Sequence, residues 1–433
     1  MRIVRYGDAD YAEYVQGMHR RAIPGEDVTE AVREILEAVK NGGDEALCDF
    51  TARFDGAALK KDELRVTDDE LLSARAQVSP ETVTAVAAAR RNIHDFAAQG
   101  MRKDWKKLNA EGVEVGERFF PFERVGIYVP GGKAPLVSTA LMTGAFAQAA
   151  GVLEIVAMTP PGPDGSVNPN LLYALQEAGA TEIYKAGGAQ AIGALAYGTE
   201  TIAPVAKIFG PGNRYVVEAK RQVVGAVAID LLPGPSEVLI ISDDTGNAQF
   251  LAADLIAQAE HGPDGEVGFL TDSEEFLQAV KEEVERQLVD LPRREIAEKS
   301  LAAGGFLVLV KDLQEAVRLC NDFAPEHLVL VAENEEKWLA QIKTAGAIYV
   351  GNFAAVAVGD FLAGPSHTLP TAGAGRSFSG LRPDQFQRRT SVVRMDQAAL
   401  RRSQAVVEHF AELEGLAGHG RSVTFRANAA NER

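Results

Sequence analysis

The sequence of 433 residues contains only two cysteines, Cys48 and Cys320. Two cysteines cannot form a disulfide framework or a zinc cluster built from thiolates, so the expected compartment is a reducing cytoplasm. No apolar run approaches the roughly 20 residues that a membrane-spanning helix requires. The first residues also lack the apolar stretch of a secretory signal peptide. We therefore expect neither a membrane protein nor a secreted one.

Positive charge is scarce as well. Lys and Arg number 44 against 61 Asp and Glu, which gives a formal net charge of -17. Such a chain does not present the basic face that nucleic acid or an anionic membrane requires, so we expect neither as a partner. The G-x-G-x-x-G motif of ordinary dinucleotide-binding domains is also absent. Any dinucleotide would have to bind through other glycine-rich turns.

Alternating strands and helices dominate the middle of the chain. From residue 124, short apolar segments such as RVGIYV and EIVAMT alternate with helical segments, and a second series runs from EVLIISDD to GAIYVGN. This alternation predicts parallel sheets that are covered by helices on both faces. The expected fold is α/β, with two Rossmann-like parallel-sheet domains at 124–235 and 236–380 that lack the G-x-G-x-x-G fingerprint.

The flanking regions follow a different pattern. Residues 1–25 are an N-terminal segment, and residues 26–123 carry apolar residues at helical spacing. We expect this second region to be mostly helical and to pack with 236–380. Residues 381–433 are predicted to form a C-terminal arm that contacts a partner subunit, with a helix over 396–417.

Two titratable residues, Glu326 and His327, stand directly before the apolar run Leu328–Val331. They could belong to a solvated loop, which is the ordinary explanation of such a pair. They could also be a general acid/base pair, because sites in α/β proteins form at strand ends. An imidazole with a pKa near about 6.5 can accept a proton at neutral pH.

Two further segments contain residues that can bind a metal. Asp254, Gln258 and His261 fall on one face of a predicted helix, so Gln258 and His261 could reach one metal ion. Asp360 and His367 lie in a loop rich in Gly and Pro after the last predicted strand. Either segment could equally be a solvated surface.

The arm and two turns add other candidates. Glu414 and His419 lie near the end of the predicted arm. The glycine-rich turn at 128–135 follows a strand, and the one at 208–215 opens a helix, which would direct its backbone amides at an anion. A surface arm and ordinary connecting turns would explain the same residues.

Eight segments together resemble the signature segments of the histidinol dehydrogenase family. They occur in that family's order, as YVPGG, GGAQAIGALAYGT, FGPGN, LLPGPSE, QAEHGPD, APEHL, GDFLAGPSHTLPT and LEGLAGHG. The resemblance covers nearly the whole chain. It implies a homodimeric enzyme, dependent on zinc and NAD, that oxidises L-histidinol to L-histidine through histidinaldehyde.

The resemblance also implies roles for single residues. Glu326 and His327 would be the catalytic acid/base pair. The implied zinc ligands, for one ion per subunit, are Gln258, His261, Asp360 and His419, the last from the partner subunit. The implied substrate contacts are Ser236, His367 and Glu414, besides His327 and the zinc ligands. The implied NAD contacts are Tyr128, Gln190 and Asn213.

Two other functions are compatible with parts of this pattern. A related enzyme of the same fold, also dependent on zinc and NAD, could oxidise another small amino or polar alcohol. Glu414, His367 and His419 favour histidinol. A metal-binding scaffold without activity would be expected to lack Glu326 or His327, and both are present. Neither cysteine lies in these segments, so an intermediate bound to a cysteine is not expected.

Overall fold

The computed structural model describes residues 1–19, 26–131 and 135–429. The chain divides into two compact units, Met1–Gly100 with Phe122–Gln385, and Met101–Pro121 with Phe386–Arg433. The predicted turn at 128–135 therefore lies partly outside the described residues, as do the ends of the N-terminal segment and of the C-terminal arm.

The described residues form strands and helices along most of their length. The strands are β1 (Arg2–Arg5), β2 (Trp105–Leu108), β3 (Glu114–Pro121), β4 (Arg124–Tyr128), β5 (Glu154–Thr159), β6 (Glu182–Lys185), β7 (Lys207–Phe209), β8 (Ala228–Ile229), β9 (Glu237–Ser242), β10 (Glu266–Thr271), β11 (Gly305–Leu309), β12 (His327–Val331), β13 (Ala347–Val350) and β14 (Gln387–Arg394). The helices are α1 (Tyr11–Gly17), α2 (Glu26–Phe54), α3 (Asp68–Gln77), α4 (Pro80–Gly100), α5 (Val137–Ala149), α6 (Pro169–Glu177), α7 (Gly188–Tyr197), α8 (Arg214–Gln222), α9 (Ala248–Ala259), α10 (Glu274–Leu288), α11 (Arg294–Gly304), α12 (Leu313–Phe323), α13 (Glu335–Leu339), α14 (Val356–Phe361), α15 (Gln397–Leu413) and α16 (Ala417–Asn428).

The first sheet contains five parallel strands in the order β6-β5-β4-β7-β8. Its central strand, β4, is buried from Val125 to Tyr128 on both faces, as expected for a sheet covered by helices on both sides. The chain leaves β4 for β5 and β6, then returns to the other side of β4 for β7. The crevice beyond the carboxyl ends of β4 and β7 is therefore the topological switch point, where such sheets bind ligands.

The helices that cover the first sheet are themselves covered by a second layer of helices. Every residue of α5 from Thr139 to Ala147 is buried, and so is every residue of α7 from Ala189 to Ala196. A helix without a polar face must be covered on both sides. α2 packs against α7 and α8, α3 against α6, and α4 against α5. α2 and α3 therefore pack on helices of 124–235, whereas the expected contact of 26–123 with 236–380 is made at α4, where Asn92 Nδ2 donates to the carbonyl of Leu362 at 2.9 Å.

The second sheet contains six parallel strands in the order β1-β11-β10-β9-β12-β13. With the first sheet, it confirms the predicted α/β fold with two parallel-sheet blocks. β1 was not predicted, because the sequence analysis placed no strand in the N-terminal segment. The residues of RIVR show no long apolar pattern, and their pairing with β11, Arg2 with Phe306 to Arg5 with Leu309, makes them a strand.

The second unit differs from the predicted arm. β14, β3 and β2 form an antiparallel sheet, and β3 pairs along its whole length with β14. Neither strand is predicted, because most of their residues are exposed or half-buried and show no clear alternation. The predicted helix at 396–417 is α15, which ends at Leu413, and a further helix, α16, begins at Ala417. Gly415, with φ 68°, separates them.

No helix among the described residues is long and apolar enough to cross a membrane. Cys48 and Cys320 are free thiols, and Cys320 is buried.

The ranges 124–235 and 236–380 each hold one of the two sheets apart from β1, and we keep them as proposed domains.

Candidate active site

Glu326 and His327 lie at the amino-terminal edge of the second sheet. β12 begins at His327 and runs between β9 and β13. α12 ends just before Ala324, whose left-handed conformation (φ 54°) turns the chain towards Glu326. Both residues are buried: Glu326 is 5% exposed and His327 is 4% exposed. The alternative of a solvated loop is therefore wrong, and the pair lies opposite the carboxyl edge where parallel sheets usually bind ligands.

The backbone of Glu237, at the start of β9, holds both members of the pair. Its N–H donates to Glu326 Oε2 at 2.8 Å. Its carbonyl oxygen lies 3.0 Å from His327 Nδ1. A carbonyl can only accept, so Nδ1 carries a proton and donates it. In the neutral imidazole Nε2 is then the atom that can accept a proton.

His327 Nε2 faces Asp360, which lies on α14. The distance from Nε2 to Asp360 Oδ1 is 3.3 Å, but the two atoms make no hydrogen bond with each other or with any other group. The amide nitrogen of Gln258 is buried without a partner too, and its helix α9 packs against α14. Buried polar atoms without partners cost free energy. These atoms therefore indicate a place for a polar ligand or a cation.

Burial and neighbouring charges act in opposite directions on His327. Burial disfavours the imidazolium, but the negative charges of Glu326 and Asp360 outweigh it and raise the pKa of His327 well above its ordinary value. Burial also opposes the charge of Asp360, yet His327, His367 and His261 together lower the pKa of Asp360. A cation on Asp360 would offset the carboxylate charge and lower the pKa of His327 towards the range of a general base.

His367 connects this site to the first sheet. Its Nδ1 lies 3.0 Å from the carbonyl oxygen of Asp360, so Nδ1 donates. Its Nε2 lies 2.9 Å from Thr139 Oγ1 and accepts from that hydroxyl. Burial is the main cause that lowers the pKa of His367, and the ring is neutral. Thr139 lies on the first turn of α5, which follows the turn after β4. The sequence analysis missed Thr139, because its segment predicts only a helix of small residues.

Tyr349 and Gly359 shape the surroundings of Asp360. The ring centroids of Tyr349 and His327 lie 6.0 Å apart. Burial, followed by the charges of Asp360, Glu326 and Asp254, raises the pKa of Tyr349, so its hydroxyl keeps its proton. A Cβ on Gly359 would lie only 2.4 Å from atoms of the Tyr349 side chain. Glycine therefore allows α14 to approach β13, and the sequence analysis missed Tyr349 because AIYV predicts a core strand.

The two candidate metal ligands near α9, Gln258 and His261, lie on either side of the end of this helix. Gln258 is buried in the last turn of α9, whereas His261 is exposed in the turn beyond the helix. Asp254 is half-buried one turn before Gln258, and burial, together with the charge of Asp360, raises its pKa to about 6. Ser236 is half-buried directly before β9, at the same edge of the sheet as His327.

Glu414 and His419 belong to the second unit. Glu414 follows the last residue of α15, and His419 lies in the first turn of α16. Both are exposed. Within the residues that the structure describes, no three His, Cys, Asp or Glu side chains lie close enough together to hold a metal ion.

The three predicted NAD residues lie at the carboxyl edge of the first sheet. Tyr128 ends β4, and its hydroxyl oxygen accepts the N–H of Gly188 at 3.1 Å. Gln190, in the first turn of α7, is 1% exposed, and neither atom of its amide has a hydrogen-bond partner. Asn213 caps α8 by accepting two backbone N–H groups. The unpartnered amide fits a site that a polar ligand completes.

A buried ion pair anchors the glycine-rich turn before Asn213. The side chains of Lys220 and Asp230 are fully buried and bonded to each other. Lys220 Nζ also donates to the carbonyl of Gly210 at 2.9 Å, and the N–H of Gly210 donates to Asp230 at 2.8 Å. A Cβ on Gly210, where φ is 112°, would lie 2.2 Å from the carbonyl oxygen of Tyr128. The turn therefore needs glycine to pass this close to β4.

Comparison with known proteins shows the family of the chain. Residues 18–427 match the family model described as histidinol dehydrogenase. The chain belongs to the histidinol dehydrogenase family. The histidinol dehydrogenase of a Synechococcus strain is 48% identical over 396 residues, which cover 92% of this chain and 91% of the relative. That of Syntrophotalea carbinolica is 44% identical over 427 residues, which cover 98% and 99%.

A solved structure of the same family has the same fold. The crystal structure of histidinol dehydrogenase from Elizabethkingia anophelis superimposes with a TM-score of 0.94 at 40% sequence identity, and the match covers 98% of each chain. This histidinol dehydrogenase fold accounts for both parallel sheets. As a member of the family, the protein is an oxidoreductase that acts on histidinol in histidine biosynthesis.

Proposed function

We propose that this enzyme catalyses the four-electron oxidation of L-histidinol to L-histidine through histidinaldehyde, with zinc and NAD, as the last steps of histidine biosynthesis. One observation carries the proposal. His327 Nε2 is buried beside Asp360 without a hydrogen-bond partner, and the Glu237 carbonyl holds the proton on Nδ1. A buried imidazole with one free nitrogen is suited to accept a proton from a substrate.

His327 is proposed as the base in both oxidations. Each oxidation removes a hydroxyl proton as a hydride leaves, and NAD accepts that hydride when it is bound. His327 Nε2 takes the proton, while Nδ1–H stays bonded to the Glu237 carbonyl and keeps the ring in place. The carboxylate of Glu326, 3.5 Å from Nδ1, stabilises the imidazolium that forms.

Glu326 is proposed to serve the second oxidation. Water must add to histidinaldehyde before a second hydride can leave, and a carboxylate can take a proton from that water. The N–H of Glu237 holds Glu326 Oε2 at 2.8 Å, so the side chain is oriented before water arrives. Glu326 and His327 therefore share one backbone anchor, the peptide group of Glu237.

Zinc is proposed at one ion per subunit, held by Gln258, His261, Asp360 and His419. Oδ1 of Asp360 is buried without a hydrogen-bond partner and fits this set, in which Gln258 would contribute its amide oxygen, because imidazole nitrogen and oxygen ligands suit zinc. Zinc supplies a fixed point for the imidazole and amine nitrogens of histidinol, and so acts as a template. Ser236, His367 and Glu414 are proposed to complete the contacts with the substrate.

A homodimer with shared active sites is proposed because the second unit has an unpartnered apolar surface. Val406, Phe410 and Leu413 on α15 are 59%, 58% and 68% exposed. Exposed apolar side chains clustered on one helix typically mark an interface. The same unit carries Glu414 and His419, so docking on a partner subunit would bring both residues to the partner's site. The cytoplasmic location stays a prediction that rests on the two free cysteines.

The function is tested by NADH formation from L-histidinol, with metal analysis of the same preparation. We expect about one zinc per subunit, and we expect His261→Asn to lose zinc and activity together. The exposed His19 serves as a matched control, and His19→Asn should keep both. An active enzyme without any transition metal would contradict the zinc proposal.

The shared site is tested by mixing two inactive variants, His261→Asn and His419→Asn. In a mixed dimer with shared sites, one site carries both changes and the other carries neither. Recovery of about a quarter to a half of the activity supports the dimer. If subunit exchange is confirmed and no activity returns, each chain builds its site alone.

A further inference from the structure

Asp55 is a carboxylate that none of the predicted sites includes. It follows the last residue of α2 and reaches the carboxyl edge of the first sheet, where its Oδ2 accepts the N–H of Gly187 at 3.2 Å. A Cβ on Gly187 would lie 3.0 Å from Asp55 Oδ1 and 2.6 Å from the Cβ of Pro160. Asp55 therefore lies between the end of β5 and the start of α7.

The neighbours of Asp55 are two of the proposed NAD residues. Gly187 directly precedes α7, whose first turn carries Gln190 with its unpartnered amide. The carboxylate of Asp55 and the hydroxyl of Tyr128 accept the N–H groups of the adjacent residues Gly187 and Gly188, at 3.2 and 3.1 Å. Burial raises the pKa of Asp55 to about 6, so the carboxylate is ionised at neutral pH.

Asp55 lies where dinucleotide-binding folds usually place an acidic residue that belongs to a strand of the sheet itself. In dinucleotide-binding folds, an acidic residue at the end of the second strand accepts hydrogen bonds from the hydroxyls of the adenosine ribose. Here the second strand is β5, and Pro160-Pro161-Gly162 follows it without an acid. Asp55 stands against Pro160 and supplies a carboxylate at that place from outside the sheet.

We infer that Asp55 binds the adenosine ribose hydroxyls of the dinucleotide and thereby selects NAD over NADP. The inference rests on the proposed use of NAD. A carboxylate can accept both ribose hydroxyls, whereas the 2′-phosphate of NADP would bring like charge against it. A purely structural Asp55 would only hold the Gly187 amide, and the two roles differ in their dependence on the 2′-hydroxyl.

The experiment compares NAD, NADP and the NAD analogue that lacks the 2′-hydroxyl of the adenosine. For each coenzyme, the dissociation constant is measured by calorimetry without histidinol, and kcat/KM is measured with saturating histidinol. Both are measured in the intact enzyme, in Asp55→Asn and in Asp49→Asn, an exposed control on the same helix. The intact enzyme should prefer NAD to the deoxy analogue by about 10- to 100-fold, as expected for a hydrogen bond to a charged group. Asp55→Asn should remove most of that preference and raise the ratio of NADP to NAD. The control should change neither.

Two results would overturn the inference. The intact enzyme could use the deoxy analogue or NADP as well as NAD, which decides the matter even if Asp55→Asn does not fold. Alternatively, Asp55→Asn could slow NAD and the deoxy analogue by the same factor, which would leave Asp55 as a support for Gly187. Failure of the proposed function is distinguishable, because the intact enzyme would then form no NADH from histidinol with NAD.

Discussion

Replacing Lys220 with methionine should strongly destabilise the first unit. The change leaves the carboxylate of Asp230 charged and fully buried, and the removal of one partner from a buried ion pair typically costs about 3–5 kcal/mol. Asp230 keeps the N–H groups of Gly210 and Leu231 at 2.8 and 2.6 Å, which favours the lower end of that range. The Gly210 carbonyl loses the Lys220 donor, for about 1 kcal/mol more. We therefore expect a loss of about 4 kcal/mol.

The double variant Lys220→Met with Asp230→Asn shows whether the buried charge is the cause. Asparagine removes the charge, and its amide oxygen can still accept the N–H of Gly210. We expect the double variant to lose about 2 kcal/mol, less than either single variant, because neither charge is left unpaired.

The assay is urea unfolding followed by circular dichroism, with the free energy of unfolding taken from the midpoint and slope. Arg294→Met is the control, because its ion pair with Glu298 is exposed and worth about 0.5 kcal/mol or less. A loss below about 1 kcal/mol for Lys220→Met, or losses that simply add in the double variant, would refute the reasoning. Because the pair anchors the turn before Asn213, the KM for NAD should also rise in Lys220→Met.

Three further predictions concern the sites. Glu326→Gln should slow oxidation of histidinaldehyde about 10²–10⁴-fold, and more than that of histidinol, whereas His327→Ala should slow both alike in single-turnover assays; equal slowing by Glu326→Gln would contradict the division of roles. Gly359→Ala should cost about 1–3 kcal/mol and lower the zinc content, because the new Cβ meets Tyr349; wild-type stability and zinc would exclude this. The pKa of Asp55 in the folded protein, about 6, lies above its ordinary 3.8. The contribution of Asp55 to the free energy of unfolding is therefore greatest below pH 3.8 and is lost as the pH rises through 6. Asp55→Asn without coenzyme should flatten this decline by about 1 kcal/mol between pH 4 and 7, because solvent screens the partly exposed carboxylate, and an unchanged slope in urea midpoints would argue against it.

The strands of both parallel sheets could be predicted from the sequence, apart from β1. Most of them are short apolar runs between helices, the pattern of strands that helices cover on both faces. Glu326 and His327 stood out because two titratable groups directly precede one of these runs. The same local reasoning missed β1, β3 and β14, whose residues form strands only through pairing with distant segments.

The sequence by itself determined the α/β class, the order of the strands along the chain and the residues able to carry acid/base and metal chemistry. Only the tertiary structure decided how those residues are held. The Glu237 carbonyl, 90 residues away in sequence, keeps the proton on His327 Nδ1. Thr139, 228 residues from His367 in sequence, donates its hydroxyl hydrogen to His367 Nε2. Local periodicity sets which face of an element is buried, whereas hydrogen-bond partners and charge depend on which segments meet in space. A protonation state therefore follows from the fold, and the residue types alone do not specify it.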